Sequence, residues 1–173
     1  MKKMIHFFAI LLVAAFAAAS FVSCSSNSDD DDDDSVSTPS AYLPAEYASK
    51  TVAALYTWSI TDSGTRNGVS ATISSTEAYY FFTDGSFVET DSWVAKSNGI
   101  TQSEKEVITK GNFTLASGDY TNGELSLTNV KYYEDETWVD GQTQTITVSK
   151  GYFRGGTYTT LNREDTDMIF TLQ

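Results

Sequence analysis

The sequence predicts an all-β fold: a single antiparallel, eight-stranded, up-and-down barrel with a short N-terminal helix. Three observations carry this. Both prolines, Pro39 and Pro44, fall at the entrance to the body of the chain, and the Thr-, Val-, Ile-, Tyr- and Phe-rich sequence after them keeps every backbone donor available for strand ladders. Turn signals recur at short intervals, Asp84-Gly85 between two aromatic runs being the strongest. Between the turns, apolar and polar residues alternate with the period of a half-buried strand. Residues 41–173 are enough for one small domain and not for two.

Taken in order, the helix comes first. Pro44 suits a first turn, and Tyr47, Ala48, Val52 and Leu55 fall on one helical face. Eight strands are expected near residues 56–62, 77–83, 86–95, 105–115, 123–134, 143–153, 157–162 and 167–172. Phe113 alternates with Asn112 and Thr114, and Leu125 and Leu127 alternate with polar neighbours. The apolar phase then moves to Val130 and Tyr132, which predicts a bulge near Asn129. Ile146 and Val148 share a side, Gly155-Gly156 reads as a tight turn, and Met168, Phe170 and Leu172 close the chain on one face. An eight-stranded barrel has an interior that side chains fill or that holds one small ligand.

Upstream of this body lie two segments of different character. Lys2 and Lys3 precede an almost wholly apolar run over residues 5–22, the layout of a secretory signal peptide. The run ends in Phe21-Val22-Ser23-Cys24, which resembles the lipobox of bacterial lipoproteins, and Cys24 is the only cysteine in the chain. The resemblance implies cleavage after residue 23 and acyl chains on Cys24, a membrane attachment stable because it uses more than one chain. Residues 24–40 carry six consecutive aspartates at 29–34 and little apolar surface, so they are expected to form a disordered acidic tether. An acidic run at this place resembles the export signal of surface-exposed lipoproteins of diderm bacteria, which implies an outer-membrane, surface-exposed location.

Charge and composition exclude several functions. Residues 1–23 hold two of the 11 basic residues and none of the 23 acidic ones, so the mature chain has a formal charge of 9 − 23 = −14. Such a chain repels phosphates, so nucleic acid is excluded as a partner, and the membrane is reached through the lipid alone. His6, the only histidine, leaves with the signal peptide. No imidazole or free thiol then remains for a nucleophile–base system or for a typical transition-metal site, so neither an enzyme nor a cofactor is expected.

The stretches FFTDGSF (residues 81–87) and GNFTLASGDYTNGELSLTNV (residues 111–130) are similar to the lipocalin-like domain of many bacterial lipoproteins. That resemblance implies a cup-shaped barrel whose interior takes a small apolar or amphipathic ligand. Trp58, Tyr80, Phe82, Phe87, Trp93 and Phe113 are the candidate lining residues. The alternative is a surface module that binds a glycan or a protein, with a barrel filled by its own aromatics. Tyr132, Tyr133, Trp138 and Tyr152 could then stack against sugars. Glu134, Asp135, Glu136 and Asp140 offer hard oxygen ligands suited to calcium, although their spacing is not that of the twelve-residue calcium loop.

Overall fold

The computed structural model describes residues 36–66 and 68–173. Its strands are β1 (Val52–Arg66), β2 (Val69–Phe82), β3 (Ser86–Ser97), β4 (Ile100–Gly118), β5 (Gly123–Glu134), β6 (Thr137–Asp140), β7 (Gln144–Val148), β8 (Tyr152–Thr159) and β9 (Asp165–Leu172). All pair antiparallel in the order β6-β5-β4-β3-β2-β1-β9-β8, with β7 beside the first half of β5 and β6 beside the second. Eight strands thus lie on one path that curls into a half-barrel. β7, off this path beside β5, turns directly into β8 at one end of it, with a single bridge between Ser149 and Tyr152 closing the turn.

The turns follow backbone chemistry. Gly85, Gly99 and Gly151 have φ of 80°, 72° and 79° at hairpin tips, and Asn98 and Lys150 take φ of 50° and 53° beside the last two. Two successive positive φ values match the twist of the strands they join. Asn129 has φ 49°, and the β4–β5 register slips between Lys110 and Asn112 opposite it, which is the bulge the phase change implies.

Three local expectations are corrected. The N-terminal helix is not formed: Pro44 leads only into one 3-10 turn, Ala45–Tyr47. Val52 and Leu55 belong to β1, where Leu55 stands opposite Tyr80. A short helix containing Thr51 and Val52 nucleates poorly, and the cross-strand aromatic partners win. The stretch between residues 62 and 77 is not a connection but the outer part of the β1–β2 hairpin. It is held by hydroxyl pairs Ser59–Thr76, Thr61–Ser74, Ser63–Thr72 and Thr65–Ser70 at 2.7–3.1 Å. Finally, Gly155-Gly156 is no turn. It lies inside β8, where a Cβ on Gly155 would stand 2.3 Å from Cε2 of Phe170, so glycine serves close ring approach.

Two apolar clusters result, one on each face of the sheet. The inner one takes Tyr56 and Trp58 from β1, Tyr79 and Phe81 from β2, and Phe87, Phe113, Leu125, Leu127, Val130, Val148, Phe153, Met168 and Phe170 from β3, β4, β5, β7, β8 and β9. Its rings touch in series: Phe81–Phe113 at 4.8 Å, Tyr79–Phe170 at 5.1 Å and Phe153–Phe170 at 5.0 Å, the first two edge-on and the last stacked. The outer cluster is Ala78, Tyr80, Phe82 and Val88, with Leu55 and Val107. Its cover is the chain before β1: Ala41, Leu43 and Tyr47 pack on it, and Tyr47 stacks on Phe82 at 5.6 Å with an interplanar angle of 5°.

Candidate functional site

The barrel interior has two zones. One is the aromatic cluster just described. The other is built on the alternate residues of β3 that follow Phe87 on the same face: Glu89, Asp91 and Trp93. Register sets Trp58, Glu77, Asp91 and Glu106 side by side across β1, β2, β3 and β4. The next row holds Tyr56, Tyr79, Glu89, Thr109 and Tyr132. Asp62, Glu89 and Asp91 are 8, 2 and 9 % exposed.

Asp91 and Asp62 accept hydrogen bonds from their surroundings, and Glu89 stands beside a tyrosine. Ser75 Oγ donates to Asp91 Oδ1 at 2.7 Å. The Leu161 backbone N–H donates to Asp62 Oδ2 at 2.6 Å, tying the β8–β9 connection to β1, and Tyr158 lies close enough to Asp62 to feel its charge. Tyr79 lies beside Glu89 in the same row, close enough for the carboxylate to raise its pKa. Trp58 and Tyr158 close one side of the zone, their rings 5.4 Å apart.

Carboxylates directly opposite one another on neighbouring strands repel, so the row Glu77–Asp91–Glu106 is not a stabilising device. Chemically, the zone offers hydrogen-bond acceptors and aromatic faces. It offers no imidazole or thiol, since neither occurs in residues 36–173. Among the described residues no group of three or more His, Cys, Asp or Glu is arranged to hold a metal ion.

The tyrosines of the interior carry the electrostatic signature. Burial, then the Glu89 carboxylate, pushes Tyr79 well above its ordinary value. Burial pushes Tyr56 up to about 12, with Tyr120 and Asp119 adding to it, and the Tyr56 hydroxyl donates to the Tyr120 carbonyl. Burial and Asp62 raise Tyr158. A tyrosine whose pKa is higher folded than unfolded keeps its proton where the unfolded chain has lost it. Its contribution is therefore fully present below the unfolded value, about 10, and is lost as pH rises through the folded one. Stability should be level to about pH 9 and then fall toward pH 12 by roughly 1.4 kcal/mol per pH unit for each such tyrosine. Urea midpoints across this range, with tyrosinate absorbance alongside, check it. Ionisation of all tyrosines near pH 10 in the still-folded chain is the contrary result.

The structure separates the candidate lining residues. Trp58, Phe87 and Phe113 are in the inner cluster, and Trp93 shares their face by register, half-buried beside Ser75 and Glu104. Tyr80 and Phe82, one residue out of phase, are on the outer face instead. Cys24 lies outside the described residues.

Of the four candidate sugar-stacking rings, Tyr132 packs inward. Tyr133 and Trp138 meet on the opposite face of the β5–β6 hairpin at 5.2 Å, and Lys110 Nζ sits 3.8 Å over the Trp138 ring. Tyr152, on β8, is exposed at the far end of the strand order. Glu134, Asp135 and Glu136 occupy the tip of that hairpin, where Asp135 and Glu136 have φ of 47° and 63°, while Asp140 pairs with Lys131 at 2.9 Å.

Asp62, Glu77, Glu89, Asp91 and Glu106 escape a reading by composition, in which acidic residues default to solvent. For Glu89 and Asp91 the signal is the alternation Phe87, Glu89, Asp91, Trp93, which keeps acids in phase with a core ring. No family model, no curated protein and no solved structure matches the chain, so its function rests on its own residues.

Proposed function

We propose that this protein is a lipid-anchored lipoprotein of the outer membrane, exposed on the cell surface, which works as an interaction module through its exterior and not as a carrier of a small apolar molecule. One observation carries the choice between these two. The side chains that would line an apolar cup, Phe87, Phe113, Leu125 and Phe170, are 1, 7, 0 and 0 % exposed and belong to one packed cluster. The remaining inner face carries Glu77, Glu89, Asp91 and Glu106, and an apolar guest there would desolvate carboxylates. Lipid attachment is supported by the sequence ending in Cys24. The acidic surface favours a neutral or basic protein partner. A glycan partner is less well supported, because Lys110 covers one face of Trp138.

Titration of the lipid-free chain with a fluorescent fatty-acid analogue and several unrelated apolar probes tests the reading. Native mass spectrometry of the same sample looks for a co-purified ligand. No saturable, competable binding and an unliganded mass are expected. A one-to-one complex with any probe restores the cup.

A further inference from the structure

The outer cluster is covered by a segment that lies outside the strands. Residues 36–50 lie on the face of the sheet without joining it as a strand. Three sheet hydroxyls hold them: Ser74 donates to the Val36 carbonyl at 3.1 Å, Thr76 to that of Pro39 at 2.7 Å, and Thr90 to that of Tyr42 at 2.8 Å. Thr38 and Thr61 share a hydroxyl bond at 3.2 Å. Among the described residues, the backbone of residues 36–43 exchanges no backbone hydrogen bond with a strand. Pro39 and Pro44 lack the donors that strand addition would require.

The far end of the segment is fastened differently. Lys50 Nζ reaches Asp84 Oδ2 and Ser86 Oγ, both at 2.8 Å, and lies 5.7 and 5.4 Å from the ring centres of Tyr47 and Phe82. The hydrogen bond from Lys50, then those from Ser86, hold the Asp84 carboxyl well below the usual carboxylate range. The segment is therefore tacked down by side chains along its length and pinned at one end. The inner cluster contains no residue from 36–50, so lifting the segment leaves every strand ladder and the inner core in place.

We propose that residues 36–50 form a latch: a strap that opens as its own unit, pivoting at Lys50, and uncovers the strip Leu55–Tyr80–Phe82–Val88–Val107 while the sheet and its inner cluster stay folded. Its free end is the end that continues into the aspartate run at residues 29–34, so tension along the N-terminal chain meets the hydroxyl contacts of Val36, Thr38 and Pro39 before it meets the pin. Segments held by few contacts open with free energies far below that of global unfolding. The strip beneath would be an apolar surface presented only in the open state.

Two matched valines test this. Val88 is fully buried under the strap, and Val130 is 1 % exposed in the inner cluster. In the full chain with Cys24→Ser, so that the introduced thiol is the only one, Val88→Cys and Val130→Cys are each exposed to a thiol reagent in native buffer. Val88→Cys should react at least about 10-fold faster, at a rate insensitive to low denaturant, as a local opening requires. Adding Thr76→Val and Thr90→Val should accelerate Val88→Cys and leave Val130→Cys unchanged. Leu43→Ala, which alters the strap and no strand, should act in the same direction. Equal rates for the two thiols, or rates that both rise with denaturant, mean that strap and barrel open only together and overturn the proposal.

Discussion

Replacing Phe81 with Ala is expected to remove about 3–5 kcal/mol of stability, the range for deleting a buried aromatic ring. Phe81 is fully buried and stands at the meeting point of four rings. Phe113 is at 4.8 Å, Tyr56 at 5.9 Å, Phe87 at 6.0 Å and Tyr79 at 6.2 Å. Those neighbours come from β1, β2, β3 and β4, whose backbone ladders hold the rings in place, so the space left by the ring cannot collapse cheaply. For a domain of this size the loss corresponds to a drop in Tm on the order of 10–20 °C. Thermal and urea unfolding followed by circular dichroism measure it. A loss below about 1 kcal/mol would mean that the interior is loosely filled, and would reopen the carrier reading with it.

Cys24→Ala has the largest expected effect on the protein's place in the cell. On the proposed reading this thiol carries the acyl chains and marks the cleavage site, and two or more chains are what make such an anchor stable. No helix among the described residues is long and apolar enough to cross a membrane. The formal charge of the whole chain, −12, gives anionic lipid surfaces no hold either. The variant should leave the membrane fraction for the soluble one, or accumulate uncleaved. Fractionation with antibody detection distinguishes these outcomes from wild type. A variant that is processed and remains membrane-bound as before removes lipidation at Cys24 from the proposed function.

Much of the β architecture was legible because hairpins are written locally. Asp84-Gly85 sits between aromatic runs, Leu125 and Leu127 alternate, and the phase change at Asn129 marks a bulge; each signal lies within a few residues of the feature it specifies. The errors have a common cause in contacts made at long range. Residues 63–76 fell between two expected strands because Ser and Thr carry no apolar signal, yet hydroxyls pair across β1 and β2 along this stretch. Gly155-Gly156 looked like a turn because glycine at a turn and glycine under a ring read alike, and only the position of Phe170 separates them.

By itself, then, the sequence determined an antiparallel all-β chain, several of its hairpin tips, and the lack of any histidine beyond residue 6 or any thiol beyond residue 24. Tertiary structure decided which face each aromatic serves. Tyr79 and Phe81 face in while Tyr80 and Phe82 face out, and a run of four aromatics has no internal preference between the two. It also decided that residues 36–40, polar enough to pass for tether, lie on the sheet, because Ser74 and Thr76 supply donors that only register brings to them. The acidic row of Glu77, Asp91 and Glu106 has the same origin. Three carboxylates from three strands become neighbours through pairing between segments, and the period of two along a single strand places a side chain on a face without saying what stands beside it.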